Sequence, residues 1–113
     1  NSSLSDSDYH RHADATLERL LEALETLGDE IELAGYDVTY TSGVLNVKLG
    51  VHGTYVLNKQ PPNKQVWMSS PVSGPRRFDW CEVRKVWVDS RQDAKVADEL
   101  VEVLVKELDE LLE

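Results

Sequence analysis

The chain reads as an α+β protein. It is a two-layer sandwich in which two terminal helices pack on one face of an antiparallel sheet of about six strands. Three features point there. Apolar residues recur with a helical period at both ends of the chain. They recur with a period of two through the middle. The strand-like runs are separated by connections short enough for hairpins. The length of 113 residues is one domain's worth, and 41% apolar side chains suffice for one core. Residues 1–113 are therefore taken as a single domain, with 1–5 expected to be flexible.

The first helix is expected from Tyr9 to Leu27, where apolar residues fall at 9, 13, 17, 20, 24 and 27. Ser5 or Ser7 can cap it, Asp6 and Asp8 suit the positive end of its dipole, and Gly28 is placed to end it. Tyr36, Val38 and Tyr40 then alternate with polar residues, and Ser42-Gly43 supplies a tight turn. Leu45, Val47 and Leu49 form a second alternation, and Gly50 to Gly53 a second connection. Tyr55 and Leu57 mark a third strand, which Pro61-Pro62-Asn63 breaks because consecutive prolines cannot donate to a ladder. Val66 and Met68 mark a fourth strand, followed by a loop over Pro71 to Pro75. Phe78 and Trp80 mark a fifth, and a last strand is expected over Arg84 to Val88. Trp80 shares the core parity of Phe78, and Trp87 is assigned to the core as well. A second helix is expected from about Asp93, its cap, to Leu112, burying Val96, Leu100, Val103, Leu104, Leu108 and Leu111.

Charge is segregated. Residues 1–37 carry net −8, residues 38–92 net +5 and residues 93–113 net −6, giving −9 in all. Such a dipolar surface suits partners of either sign, although helices commonly carry more Glu than strands do. The net charge argues against general nucleic-acid binding, which needs basic surface. No apolar run is long enough to span a membrane. A single cysteine, Cys81, excludes an internal disulfide and a Cys-based zinc cage, and no nearby His activates it. Asn1 to Asp8 lacks the apolar stretch of a secretory signal and the Arg-rich pattern of a transit peptide, so a targeting segment is expected to be lacking or removed. Phosphate loops, GxGxxG, HExxH, GxSxG and CxxC motifs are all missing, so no catalytic side chain is assigned.

Two surfaces stand out. Strand parity places Asn46, Lys48, Asn58, Gln65, Trp67, Arg77 and Asp79 on the sheet face away from the helices. Trp and Arg are the residue types enriched at binding hot spots, so this face reads as a protein-binding surface with Trp67 as anchor and Arg77 as charged clamp. The plainer alternative is a Trp67 half-covered by a neighbouring loop. On the first helix, Asp14, Glu18, Glu22, Glu25 and Asp29 form one acidic stripe opposite the apolar one. Like charges at this spacing repel and destabilise a helix by a few tenths of a kcal/mol per pair, yet few Lys or Arg interrupt them. Surface carboxylates bind hard cations weakly, Fe²⁺ included, and His10 lies one turn before Asp14, so the two could share an ion. His10 and His12 point apart and cannot chelate together. From periodicity alone the plainer reading, a solvated acidic face that binds a basic protein patch or nothing, is favoured.

The run Gly53-Thr54-Tyr55-Val56-Leu57-Asn58-Lys59-Gln60-Pro61-Pro62-Asn63-Lys64-Gln65-Val66-Trp67-Met68-Ser69-Ser70-Pro71, continued by Ser73-Gly74-Pro75-Arg76-Arg77-Phe78-Asp79-Trp80, resembles the frataxin family. Tyr36-Asp37-Val38 and Ser42-Gly43-Val44-Leu45 fit the same pattern, and Pro61-Pro62 is most similar to the fungal mitochondrial form. The resemblance spans roughly Tyr9 to Leu112. It implies the same α-sheet-α sandwich and a mitochondrial matrix protein of iron–sulfur cluster assembly. Such a protein binds the cysteine desulfurase–scaffold complex, accelerates persulfide transfer to the scaffold, and binds iron (Fe²⁺/Fe³⁺) weakly at its surface. By motif, Asn58, Gln65, Trp67 and Arg77 fall on partner-contact positions. His10, Asp14, Glu18, Glu22, Glu25, Asp29 and Asp37 are the metal-ridge candidates, Asp37 by resemblance alone. An iron chaperone or ferroxidase-like store is the alternative the resemblance admits, with a monomer expected and an iron-driven oligomer allowed. Single-stranded nucleic-acid binding at Trp67 is disfavoured by net charge and by the lone exposed aromatic.

Departures from the family pattern also carry expectations. His10, Ala15 and Thr26 stand where many relatives have acids, which thins the ridge. Cys81 is no family signature and receives no role. Longer relatives have a tail packed between the helices, and the sequence stops at Glu113, so a less protected groove and lower stability are expected.

Overall fold

A computed structural model describes residues 4–112. The first helix, α1, spans Asp6–Glu30, and the second, α2, spans Leu100–Leu112. Six strands lie between them: β1 (Tyr36–Thr41), β2 (Val44–Leu49), β3 (Thr54–Gln60), β4 (Gln65–Ser70), β5 (Gly74–Cys81) and β6 (Val86–Asp89). They form one antiparallel sheet in the order β1-β2-β3-β4-β5-β6, so every strand pairs only with its sequence neighbours. The expected meander is present, with both helices on one face.

Local chemistry explains the elements. Ser5 caps α1, its hydroxyl oxygen accepting from the Asp8 N–H at 3.1 Å, and Asp6 and Asp8 lie in the first turn. The expectation of flexibility at 1–5 falls in part on residues 1–3, which lie outside the described residues. Leu4 is buried in the core. The helix buries Tyr9, Ala13, Leu17, Leu20 and Leu24, the expected stripe. It does not end at Gly28 but runs to Glu30, closed by the Ile31 N–H on the Leu27 carbonyl. Gly28 serves packing instead: a Cβ there would lie 2.6 Å from the Tyr36 ring, whose hydroxyl donates to the Leu24 carbonyl. Ser42 and Gly43 both have positive φ, 53° and 77°, the geometry that closes a two-residue hairpin between twisted strands. Pro61–Asn63 forms a 3₁₀ turn between β3 and β4.

The other corrections concern the C-terminal third. β5 already begins at Gly74, so Pro75 lies in the strand opposite Ser69 rather than in a loop. β6 starts at Val86, not Arg84, because Lys85 takes a positive φ of 59° and its N–H closes the turn on the Cys81 carbonyl. α2 starts at Leu100, seven residues later than expected. Asp93 caps only a local turn, accepting from the Lys95 N–H, and Val96 is 80% exposed. Residues 93–99 cannot join the helix because the chain is tied to the edge of β6. The Asp89 N–H donates to the Asp98 carbonyl at 2.9 Å, and Glu99 bridges to Val88. Glu99 is the true cap, its carboxylate accepting from the Val101 and Glu102 N–H groups.

The core lies between helices and sheet. Trp87 is 1% exposed, as assigned, and meets Trp80 and Tyr9 edge-on at 5.5 and 6.0 Å. The buried polar tips are satisfied across layers. The Tyr9 hydroxyl donates to the Gln65 carbonyl, and the Trp87 indole N–H donates to Thr16 Oγ1. Between the helices an open apolar groove of about 220 Å³ is lined by Leu20, Leu24, Leu27, Val101, Leu104 and Leu108.

Glu107 of α2 is the buried acid that locks this helix to the sheet. Its Oε1 accepts from the Tyr55 hydroxyl at 2.7 Å and from Ser70 Oγ at 2.6 Å. Ser70 Oγ in turn accepts from the Val72 and Ser73 N–H groups. Burial pushes the Glu107 carboxyl up. The hydrogen bonds from Ser70, Ser73 and Tyr55 and the Arg76 charge outweigh it, so the group titrates below its ordinary value. A lowered folded value means that this contribution is complete above the unfolded value and is lost as pH falls through the folded one. Glu107→Ala leaves two buried hydroxyl protons without an acceptor and should cost about 2–4 kcal/mol in urea unfolding. The stability difference from wild type should shrink as pH drops from neutral into the acid range; a gap independent of pH would contradict the assignment.

Candidate functional site

The open sheet face is built by register. Asn58 pairs with Trp67, and Trp67 pairs with Arg77, so the three side chains form one row across β3, β4 and β5. Two residues along, Gln65 pairs with Asp79. These side chains stand on the face opposite Tyr55, Leu57, Val66, Met68, Phe78 and Trp80, all of which are buried under the helices. Strand alternation thus puts Asn58, Gln65, Trp67 and Arg77 on one surface, as expected.

The row is held by its own contacts. The Arg77 guanidinium carbon lies 4.6 Å from the centre of the Trp67 ring, a cation–π stack. The Trp67 indole N–H donates to Gln65 Oε1 at 2.8 Å, and Gln65 Nε2 donates to Asp79 Oδ1 at 3.0 Å. Trp67 is half-buried, and the named contacts against it come from its strand neighbours rather than from a loop. Gln65 fixes the indole edge while Arg77 covers one face and stays exposed. The surface therefore presents a flat aromatic body with an attached cation, held in one orientation. Asp79 lies on this face by parity, and its link to Gln65 comes from the pairing of two strands rather than from the pattern of either. The register of a short hairpin is the signal that pairs those two residues.

The acidic ridge is less gathered. Glu18, Glu22, Glu25 and Asp29 are exposed along α1, and Asp37 is exposed on β1. Glu25, Asp29 and Asp37 line one open groove of about 520 Å³ together with Gly28, Tyr36 and Val38. Among the described residues, no three His, Cys, Asp or Glu side chains are placed to hold a metal ion in a preformed site. The carboxylate oxygens fit hard divalent cations in chemistry, through a loose, hydrated association. At the expected His10–Asp14 pair, Asp14 Oδ1 is bound by Lys59 Nζ at 2.6 Å, and the half-buried His10 sits edge-on to Tyr9 at 5.1 Å. Nothing in the periodicity of α1 reveals Lys59, because the contact comes from β3. His12 also gains a partner, stacking on Trp80 at 3.9 Å between centroids and 11° between planes. Burial and then the Arg11 charge lower its basicity. Cys81 is half-buried, with Sγ accepting from the Arg84 N–H.

Comparison with known proteins agrees with this architecture. A family model described as "Frataxin-like domain" matches residues 2–113. The chain is 48% identical to mitochondrial frataxin of Arabidopsis thaliana over 92% of its own length and 56% of the relative's. It is 44% identical to the mitochondrial frataxin homolog of Saccharomyces cerevisiae over 87% of its length and 55% of the relative's. The chain thus spans about half the length of these curated relatives. Their names support a mitochondrial location. Among solved structures, trimeric yeast frataxin complexed with ferrous iron superposes with a TM-score of 0.77 at 39% identity, covering 88% of this chain and 84% of that one. Among the described residues, no helix is long and apolar enough to cross a membrane. With the family model spanning nearly the whole chain and the helix–sheet–helix architecture in common, this chain belongs to the frataxin family, which is involved in iron metabolism and iron–sulfur assembly.

Proposed function

We propose that this chain is an accessory factor of iron–sulfur cluster assembly in the mitochondrial matrix. It binds a cysteine desulfurase–scaffold complex through the open sheet face and accelerates persulfide transfer to the scaffold. The observation that carries this reading is the continuous Asn58–Trp67–Arg77 row with Gln65 bracing Trp67. A pre-stacked Trp–Arg pair loses little side-chain entropy on docking, and both residue types dominate binding energy where they are desolvated. Its effect on the enzyme is a population shift toward the loop conformation that delivers sulfur. The ridge acids Glu18, Glu22, Glu25, Asp29 and Asp37 bind Fe²⁺ weakly and meet basic surface on the same complex.

Trp67→Ala should leave the fold intact, since the indole lies outside the core, and should weaken complex affinity by about 2 kcal/mol or more. In a reconstituted desulfurase–scaffold assay, sulfide and cluster formation should fall to the rate without this protein, even at saturating iron. Full stimulation by the variant would refute the sheet-face reading.

A second reading, iron donor or store, is favoured by Glu18, Glu22, Glu25 and Asp29, which have no ion pair among the described residues, and by the yeast relative complexed with ferrous iron. Glu22→Lys with Glu25→Lys should reduce Fe²⁺ affinity several-fold. Stimulation retained at unchanged complex affinity supports the activator. Stimulation lost in step with iron binding, again at unchanged complex affinity, supports the donor.

A further inference from the structure

We infer that Lys59 is a built-in counter-cation that closes the N-terminal end of the acidic ridge and confines divalent cations to the stretch from Glu18 onward. The inference deepens the cation-binding part of the proposed function and rests on it.

Lys59 sits on β3 on the helix side of the sheet, one residue from Asn58 of the docking row. Its Nζ reaches Asp14 Oδ1 at 2.6 Å, and its side chain is only 16% exposed. Its position is over-determined. The Lys59 N–H donates to the Gly43 carbonyl, and its aliphatic stem passes over Gly43, where a Cβ would lie 3.5 Å from Lys59 Cδ. Among the described residues, Glu18, Glu22, Glu25 and Asp29 have no ion pair, so Asp14 is the ridge acid whose charge is already met. A divalent cation arriving beside Asp14 meets a fixed positive charge a few ångströms away. Moreover, one carboxylate oxygen is already committed. Both effects oppose binding there, and neither reaches the far end of the ridge with equal strength.

The test uses the full chain, Mn²⁺ as an oxygen-seeking paramagnetic probe, and amide NMR line broadening. In wild type, broadening should centre on residues from Glu18 to Asp37 and spare His10 to Asp14. Lys59→Gln should extend broadening to Asp14 and raise total Mn²⁺ affinity by about fivefold to tenfold, the scale of one removed like charge near a divalent ion. Lys59→Arg, which keeps the charge, should behave as wild type, and Asp14→Asn added to Lys59→Gln should abolish the gain. Broadening at Asp14 in wild type, or an unchanged map in Lys59→Gln, would overturn the role of Lys59. An absence of broadening from Glu18 to Asp37 in wild type would instead overturn ridge cation binding, whatever happens at Asp14.

Discussion

Two helices can cover only one face of a six-stranded sheet, and this limit organises the molecule. The covered face takes Leu45, Val47, Tyr55, Leu57, Val66, Met68, Phe78 and Trp87. Every residue between them in the strands must then face the other way, into solvent. A side chain such as Trp67 cannot be hidden by moving it inward without flipping its strand neighbours out of the core. The exposed Trp–Arg stack is thus secured by the burial of its neighbours, and its own contacts set only the fine orientation. Core stability and surface presentation are properties of one register.

The joins between the layers are polar where the layers must be positioned and apolar where they need only be close. Tyr9, Trp87 and Tyr55 each bury a large ring and place one polar tip on a partner in the other layer. Glu107 collects two hydroxyls at the far side, and Arg76 ties Asp89 to Asp98 near the start of α2. Burying such groups is costly unless they are paired, so these contacts select one docking angle among many that an apolar interface would tolerate. Lys59–Asp14 belongs to the same class but sits at the margin, where water competes.

Much of the architecture was legible because it is periodic. Alternation placed the strands, and it separated Trp67 from Trp80 correctly. The helical stripe from Tyr9 to Leu24 was visible in the spacing alone. What escaped was set by contacts distant in sequence. Gly28 looked like a helix stop, but the Tyr36 ring decides its role. The stretch from Asp93 to Glu99 has helix-compatible composition, yet hydrogen bonds to Asp89 and Val88 hold it out of α2. On the site side, parity located Asn58, Gln65, Trp67 and Arg77, whereas only the fold shows that Gln65 braces the indole and that Lys59 claims Asp14.

The meander has a kinetic corollary. Each strand pairs with the one just made, so the whole sheet can be assembled from neighbouring hairpins with short loops to close. The helices are the opposite case, because they come from the two ends of the described chain and must meet over the same surface. The apolar face stays incompletely covered until the last turn of α2 is in place. A chain synthesised or threaded from its N-terminus therefore passes through a stage with a formed sheet and one missing lid. That stage is the one most exposed to chaperones, proteases and self-association.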